Sequence, residues 1–500
     1  MVGCVLRRVN ARGPSPLLSA VSSENMSNFR WKKHLSFILV LSTGLAVRLW
    51  FVKHAPNVEG DTTIYGNIAA NLLRSHVFGY SETDAGVQPT LIRLPGYPIF
   101  LALCFRLFGV ANYRAVTLVQ TAFDLGTCLL LRRLALALFG PRAAFAALLA
   151  AALCPFTANY VAVPLTETLT LFLITLAFLS LYRWLISSRT FGPWLWTLSA
   201  ALACAALLRP EQILLAVAIL GTLLWNSLPP GRKKAHRPRQ LMPILAAGLC
   251  TLLPLAPWTL RNWRTFHVFQ PLAPRSATDP GENIPTGFQH WYRTWAIDFA
   301  STEDVYWKYE DTAIDIADLP RRAFDSPAQY STTAALLRDY NLTTTDSPDL
   351  NRRFEALARD RNHTHPLRSH ILLPVARLAN MLLRPRTEIT ALPSDWWKWS
   401  DHPRQSAVAA GYAALNLVWL VPGTIGLYRW SRSSRSLGPA TTAVLQAMLV
   451  FILLRSLLLL TLDNSEPRYT LEFFPILTMG IAFLFARPPA LPNEPIASPE

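Results

Sequence analysis

Apolar segments recur along this chain, and most of them are about as long as the ~20-residue helix needed to cross a bilayer. Short clusters of Lys and Arg separate these segments, and such clusters favour the cytoplasmic side of a membrane. Placing every cluster in the cytoplasm predicts ten membrane-spanning helices with both chain ends inside. The predicted spans are residues 35–53, 114–134, 142–158, 167–186, 193–208, 212–228, 241–260, 406–428, 440–462 and 470–486.

The composition indicates an all-helical polytopic membrane protein. Hydrophobic residues make up 51% of the chain and charged residues 16%, and there are 16 tryptophans, a residue enriched at membrane interfaces. A formal net charge of +16 would also suit a nucleic-acid-binding protein. Here, however, the positive residues lie between apolar segments, where they oppose anionic lipid headgroups. Nucleic-acid binding is therefore not predicted.

The predicted topology divides the chain into a membrane module, loop regions and two cytoplasmic ends. The parts are a cytoplasmic N-terminal segment (1–34), a membrane module (35–260) with a first outer loop (54–113), an extracytoplasmic loop region (261–404), C-terminal transmembrane helices (405–486) and a cytoplasmic tail (487–500). Helical spacing of Ile64, Ile68 and Leu72 predicts a surface helix in the first outer loop. Further helices are predicted around residues 334–340 and 350–360.

The apolar stretch 94–110 would count as a further span by hydropathy alone. If it crossed the membrane, every later positive cluster would lie outside. It begins with the rigid turn Pro95-Gly96-Tyr97-Pro98, which can redirect the chain into the interface. The stretch is therefore predicted to be an amphipathic or re-entrant helix on the outer surface.

Two acidic residues are the main candidates for chemistry. Asp61, in Glu59-Gly60-Asp61, directly follows the first span and lies at the lipid–water boundary, where a carboxylate can act on a lipid-borne substrate. Asp61 also suits the N-cap of a helix that starts at Thr62. Glu167 opens the fourth span on the same side, where it would face a cavity or complement the helix dipole. Asp124, deeper in the second span, is expected to make a structural contact between helices.

Five arginines fall at predicted outer ends of spans, where the positive-inside rule expects few, and four of them are candidate phosphate partners: Arg93, Arg209, Arg261 and Arg468. The fifth is Arg264. Guanidinium groups pair well with phosphate, and snorkelling toward lipid headgroups is the alternative interpretation. Arg455, inside the ninth span, is expected to pair with an acid or a phosphate. No ligand spacing indicates a metal site, although a divalent cofactor stays open. Because Gly-rich phosphate loops are absent, no nucleotide substrate is expected.

Several short motifs occur in a characteristic order: Glu59-Gly60-Asp61 with Tyr65, Ala69-Ala70-Asn71-Leu72-Leu73, Leu94-Pro95-Gly96-Tyr97-Pro98, Phe139-Gly140-Pro141-Arg142-Ala143-Ala144, Leu165-Thr166-Glu167, Leu208-Arg209-Pro210, Trp258-Thr259-Leu260-Arg261-Asn262-Trp263 and Glu466-Pro467-Arg468-Tyr469. In this order and topology the chain resembles the family 39 glycosyltransferases of the GT-C superfamily. That family includes protein O-mannosyltransferases and the aminoarabinose transferase that acts on lipid A. The likeness covers residues 35–290 well.

The resemblance implies a GT-C-type helical bundle in the cell membrane. It also implies transfer of a hexose or pentose from a polyprenyl-phosphate carrier to a glycan, lipid or protein acceptor on the extracytoplasmic face, with inversion. It places the catalytic Asp at Asp61 and a second acidic position at Glu167. The remaining substrate-binding candidates are Tyr65, Glu59 and the four arginines. Many family members have two adjacent acids in the first loop, whereas Gly60 and Thr62 flank Asp61 here.

A transporter or lipid flippase of the cell envelope is the main alternative. Such proteins usually contain repeated halves and broken helices near the bilayer midplane. The sequence has neither an internal repeat nor paired broken helices, and its polar candidates gather at one face. A catalytically silent scaffold is a second alternative. The sequence thus favours a glycosyltransferase.

Overall fold

The computed structural model describes residues 16–81, 86–227, 237–390 and 392–486. About 73% of the described residues are helical and 1% are in strands, so the predicted all-helical fold is confirmed. The predicted cytoplasmic tail (487–500) and the first part of the predicted N-terminal segment (1–15) lie outside the described residues.

The helices, in chain order, are α1 (Pro16–His54), α2 (Asp61–Arg74), α3 (Gly96–Phe108), α4 (Tyr113–Phe139), α5 (Pro141–Ala152), α6 (Pro155–Ala158), α7 (Glu167–Leu185), α8 (Pro193–Leu208), α9 (Ile213–Ser227), α10 (Arg237–Leu252), α11 (Leu255–Phe266), α12 (Thr286–Arg293), α13 (Phe299–Ser301), α14 (Pro327–Asn341), α15 (Pro348–Thr364), α16 (Leu373–Leu383), α17 (Pro403–Ser433), α18 (Pro439–Leu460) and α19 (Phe474–Phe483). Two short strands, β1 (Gly79–Tyr80) and β2 (Gln88–Pro89), pair antiparallel between α2 and α3. Each predicted span coincides with a helix or with two consecutive helical segments.

Five of the described helical stretches are long and apolar enough to cross a membrane: His34–His54, Glu167–Leu185, Leu241–Phe266, Pro403–Ser433 and Pro439–Leu460. A sixth is the bent pair Pro141–Ala152 and Pro155–Ala162, if the two helices form one span. The chain is therefore a multi-pass membrane protein. The remaining predicted spans stay predictions.

A buried ion pair ties α1 to α4. Arg48 Nε lies 2.5 Å from Asp124 Oδ2, and both side chains are almost fully buried. Other nitrogens of the Arg48 guanidinium donate to the carbonyls of Ala151 and Ala152 at the end of α5. Asp124 thus makes the helix–helix contact predicted for it. Two charges at this depth are tolerated because they neutralise each other and are hydrogen-bonded.

The first outer loop folds into two packed helices. The surface helix predicted around Ile64, Ile68 and Leu72 is α2, and the stretch 94–110 forms α3. Ala69 of α2 packs against Tyr97 and Leu101 of α3 in one buried cluster. At 1.5 Å per residue, α3 is about 20 Å long and too short to cross the ~30 Å hydrocarbon core as a single helix.

The loop region between α11 and α17 has its own aromatic core. Phe288 stacks on Tyr309 at 3.7 Å between ring centroids, within a buried cluster of α12, α14 and α15. The helices predicted around 334–340 and 350–360 are α14 and α15. Each begins at a Ser-Pro pair, in which Ser326 or Ser347 caps the first turn and Pro occupies the first helical position.

Candidate active site

Five of the predicted site residues lie at one end of the helical bundle. Asp61 begins α2 just beyond α1, and Arg93 precedes α3. Glu167 is the first residue of α7, and Arg209 follows the last residue of α8. Arg468 lies between α18 and α19. The chain therefore reaches the same end of the bundle from segments that are distant in sequence.

The start of α2 differs from the N-cap interpretation of Asp61. The helix begins at Asp61 itself, so Gly60 is the N-cap residue, and no side chain caps the helix. Gly60 has φ +54°, in the left-handed region that favours glycine. The N-cap role predicted for Asp61 is thus wrong, because its carboxylate is bound by two guanidinium groups instead.

Each carboxylate oxygen of Asp61 accepts a hydrogen bond from a different arginine. Arg93 Nη2 lies 2.7 Å from Oδ1, and Arg468 Nη2 lies 3.1 Å from Oδ2. Arg468 is shared, since its Nε lies 2.5 Å from Glu466 Oε2. We call these four residues, Asp61, Arg93, Arg468 and Glu466, the Asp61 cluster. The two guanidinium groups of this cluster are matched by the two carboxylates, so a further anion would have to displace Asp61 from one of them.

Electrostatics keep Asp61 ionised. Burial by itself raises the pKa of Asp61, but the charges of Arg468 and Arg93 and their hydrogen bonds outweigh it and lower the pKa to about 2. The folded pKa lies below the ordinary value of 3.8, so this pairing stabilises the fold above that pH. The stabilisation is lost as the pH falls through about 2.

Glu167 belongs to a second group of charges. Arg209 Nη1 lies 3.0 Å from Glu167 Oε1, and Arg209 Nε lies 2.7 Å from Glu211 Oε1. Arg455 pairs with Glu211 at 3.4 Å and with Glu472 at 3.1 Å, so the expectation that it pairs with an acid is confirmed. We call these five residues the Glu167 cluster. With two cations and three acids, Arg209 is already committed to carboxylates.

Tyr65 lies beside Arg93 of the Asp61 cluster. The Arg93 guanidinium lies over the Tyr65 ring at 5.7 Å from its centroid. Asp61 and Glu167 both act electrostatically on the Tyr65 hydroxyl, which places all three residues in one region. Burial raises the pKa of Tyr65 to about 12, so the hydroxyl keeps its proton and can donate a hydrogen bond at neutral pH.

The other two candidates lie apart from these contacts. Glu59 is exposed. Arg261 Nη2 donates to the carbonyl of Phe78 at 2.6 Å, and Nη1 donates to the carbonyl of Thr90 at 2.7 Å. The Arg261 guanidinium also lies over the ring of Trp258. These contacts hold α11 against the strand hairpin, and Arg261 would have to break them to bind a phosphate.

Replacing Arg261 with Gln tests what these bonds do. We expect the variant to lose about 1.5–3 kcal/mol of stability, since two carbonyls lose a charged donor. The donor KM should stay within about twofold of the wild-type value, because the Asp61 cluster is intact. Thermal unfolding in detergent and initial-rate kinetics measure the two effects. A large rise in donor KM at unchanged stability would instead assign Arg261 to the phosphate.

Several acids in these clusters were not predicted from sequence. Glu466 stands in the same motif as Arg468, and Glu211 is two residues from Arg209. Both acids stand close in sequence to an arginine at an unexpected span end, and that pattern could have identified them. No such signal marks Glu472. In residues 16–81, 86–227, 237–390 and 392–486, no three His, Cys, Asp or Glu side chains gather closely enough to hold a metal ion.

The chain is similar to solved structures of low sequence identity. One is ArnT from Cupriavidus metallidurans bound to undecaprenyl phosphate, with 15% identity over 90% of this chain and 77% of that one, and a TM-score of 0.39. Another is the archaeal oligosaccharyltransferase AglB from Archaeoglobus fulgidus, in complex with an inhibitory peptide and a dolichol-phosphate. It shows 11% identity over 91% of this chain and 50% of that one, with a TM-score of 0.48.

No curated protein matches the chain. Residues 88–259, about a third of the chain, match the family model described as dolichyl-phosphate-mannose-protein mannosyltransferase. This segment includes Arg93, Glu167 and Arg209 of the two clusters, whereas Asp61 precedes it and Arg468 follows it. The family match supports a membrane glycosyltransferase of the GT-C superfamily with a lipid-phosphate-linked sugar donor, which is the class predicted from the sequence.

Proposed function

We propose that this protein transfers a sugar from a polyprenyl-phosphate carrier to a hydroxyl acceptor on the extracytoplasmic face, with inversion and with Asp61 as general base. The observation that carries the proposal is the Asp61 carboxylate bound by Arg93 and Arg468 at one end of a membrane bundle. This geometry combines a proton acceptor and phosphate-binding cations within one contact distance. The positive-inside rule assigns this end of the bundle to the outside.

The reaction requires one bond to form and one to break. The acceptor oxygen attacks the anomeric carbon as the bond from that carbon to the carrier phosphate oxygen breaks, and the hydroxyl proton passes to Asp61. The carrier leaves as a phosphate anion, so no general acid is needed. Arg93 and Arg468 stabilise the charge that grows on that phosphate. Attack from the face opposite the phosphate inverts the anomeric configuration.

In the resting structure, the carboxylate and the donor phosphate require the same guanidinium groups. The donor's phosphodiester carries a single negative charge on two unesterified oxygens, like the carboxylate, so a bound donor competes with Asp61 for Arg93 and Arg468. The carboxylate then loses the charges that lower its pKa. Asp61 therefore becomes a stronger base only when a donor is bound. It then takes the acceptor proton only when a sugar is available for transfer.

The pH dependence of the rates tests this exchange. The acid limb of kcat/KM reports the free enzyme, in which the pKa of Asp61 is about 2, whereas the acid limb of kcat reports the donor complex. We therefore expect the acid limb of kcat to lie at higher pH than that of kcat/KM. Initial rates at saturating and limiting donor measure both limbs. Coincident limbs would show that the donor leaves the pairing of Asp61 unchanged.

Glu167 supports the reaction from the second cluster. Its side chain is 4% exposed and held by Arg209, so its position relative to Tyr65 and Arg468 is fixed. Glu167 acts electrostatically on both of these side chains. A fixed negative charge in this region stabilises the positive charge that develops at the anomeric carbon. Arg209 therefore serves mainly to hold Glu167.

The carrier's hydrocarbon tail requires an apolar surface that reaches this end of the bundle. α10 and α11 border an open cavity of about 490 Å³ lined by Leu252, Leu255, Ala256, Thr259, Leu260, Trp263, Phe269 and Pro271. α11 also holds the carbonyl of Thr90 through Arg261, three residues before Arg93. The cavity is thus joined to the segment that carries a proposed phosphate ligand, and we assign the tail to it.

The residues of the proposed site come from two of the predicted parts of the chain. Asp61, Arg93, Glu167 and Arg209 belong to the proposed catalytic membrane module (35–260), whereas Arg468 and Glu466 come from the C-terminal helices (405–486). A truncated chain that ends before the C-terminal helices would therefore lack one of the two cations at Asp61. The catalytic unit we propose includes both parts.

An assay with purified protein and defined polyprenyl-phosphate sugars tests the function. A glycosyltransferase releases free polyprenyl phosphate in proportion to the glycosylated acceptor, whereas a transporter or flippase moves the intact donor between leaflets. The loss of one defined sugar from envelope glycans or lipids in a strain that lacks the protein would identify the acceptor. If no polyprenyl phosphate is released with any donor, the proposed function is wrong.

A further inference from the structure

The end of the extracytoplasmic loop region returns to the candidate active site after α16. Arg386 Nη1 donates to the carbonyl of Pro467 at 2.9 Å, and Arg386 Nη2 donates to Thr470 Oγ1. Both partners belong to the Pro467–Phe473 segment, a 3₁₀ helix that also carries Arg468. The Arg386 side chain is buried. The residues that follow Arg386 are therefore fixed relative to the arginine that holds Asp61.

Glu388, two residues later, is positioned by a tyrosine from the membrane module. The Tyr160 hydroxyl donates to Glu388 Oε1 at 2.9 Å, and Tyr160 is 1% exposed. The Tyr160 carbonyl accepts a hydrogen bond from Thr168 Oγ1, next to Glu167, at 3.3 Å. Glu167 and Arg468 also act electrostatically on the Tyr160 hydroxyl. Glu388 thus lies beside the two charge clusters, although it comes from a different part of the chain.

One oxygen of Glu388 is unused. Oε2 is buried and has no hydrogen-bond partner anywhere in the described ranges of the chain. Arg384 lies near enough to influence Glu388 through its charge, yet its Nη1 is also buried and unpaired within the same ranges. Leaving a buried charged oxygen without a donor costs about 1–3 kcal/mol or more. A purely structural carboxylate would be expected to use both oxygens.

We propose that Glu388 is a substrate-binding residue whose Oε2 accepts a hydrogen bond from a hydroxyl group on a sugar ring of the substrates. A carboxylate accepts hydrogen bonds and repels phosphate, so its partner here is a hydroxyl and not the carrier phosphate. The ring belongs either to the sugar being transferred or to a sugar in the acceptor, since both must approach Asp61. This inference rests on the proposed function. It gives the loop region a direct part in choosing the substrate.

A cycle that changes both enzyme and substrate tests the proposal. The wild type and Glu388→Ala are each assayed with the donor the enzyme uses and with its monodeoxy analogues. For one analogue, we expect wild-type kcat/KM to fall by about 10–100-fold, the equivalent of one hydrogen bond to a charged group. In Glu388→Ala, kcat/KM should be the same for this analogue as for the full donor. A second set of assays with deoxy forms of the acceptor distinguishes the two sources of the hydroxyl.

Matched variants separate this role from folding. Glu303→Ala removes another partly exposed carboxylate near Arg384 and should keep wild-type discrimination between donors. Glu388→Gln preserves the shape of the side chain and should weaken the discrimination, as should Tyr160→Phe, which frees Glu388 to move. If every variant loses the same factor with every donor and acceptor, Glu388 is structural and the inference is wrong. A wild type that releases no polyprenyl phosphate would instead refute the proposed function.

Discussion

The Asp61→Asn variant is expected to transfer sugar about 10²–10⁴-fold more slowly than the wild type, the usual contribution of a general base. Asn has nearly the same shape but cannot take the hydroxyl proton. The substitution also removes the carboxylate that competes with the donor phosphate for Arg93 and Arg468, and leaves Arg468 paired only with Glu466. Donor KM should therefore stay the same or fall while kcat collapses. A steady-state assay of released polyprenyl phosphate measures both constants.

Glu59→Gln is the matched control for Asp61→Asn. Glu59 belongs to the same acidic tripeptide but is exposed. Its loss should change the rate by no more than about twofold, as for most exposed positions away from special contacts. Full activity in Asp61→Asn would remove Asp61 from the mechanism. A raised donor KM at unchanged kcat would assign Asp61 to donor binding instead.

The second large effect is expected at the buried ion pair between α1 and α4. Replacing Arg48 with Met leaves Asp124 1% exposed without its cation, and the carbonyls of Ala151 and Ala152 lose a donor. Removing one partner of a buried pair typically costs about 3–5 kcal/mol. We therefore expect a strong fall in the thermal unfolding midpoint and in the yield of folded protein from the membrane. Both are measured in detergent-solubilised samples.

Two further variants show whether the cost comes from the unpaired charge. Arg48→Met combined with Asp124→Leu removes both charges and should recover much of the lost stability, because a buried pair replaced by apolar residues is often neutral. Arg352→Met removes an arginine that is 79% exposed and pairs with Asp349, and should have no measurable effect. If Arg48→Met is as stable as the wild type, the pair does not hold the bundle together.

The sequence predicted the helical elements well because their signals are local. Apolar segments mark where the helices of the bundle lie, since a bilayer-spanning helix requires a run of apolar residues. Ser326-Pro327 and Ser347-Pro348 mark the starts of α14 and α15 through capping and the fixed φ of proline. Asp61 and Arg468 were also found locally, as charged residues at the ends of spans where few are expected.

The partners of these charges could not be predicted from the sequence. Asp61 and Arg468 are 407 positions apart, and no local pattern links them. The N-cap role suggested for Asp61 failed for this reason, because two arginines from other segments compete for the carboxylate more strongly than backbone amides do. Arg261 looked equivalent to Arg93 by position, yet the fold turns its guanidinium toward two backbone carbonyls.

Hydropathy and charge patterns alone establish that this chain builds a helical membrane bundle and that acids and arginines collect at one end of it. Hydropathy and charge act on each segment separately, so both results can be obtained residue by residue. The packed helices were needed to show that Asp61 shares Arg468 with Glu466, that Arg209 is held by Glu167 and Glu211, and that Glu388 accepts a hydrogen bond from Tyr160. The pairing of charges depends on distances of a few ångströms between remote segments, and these distances exist only after the helices have packed.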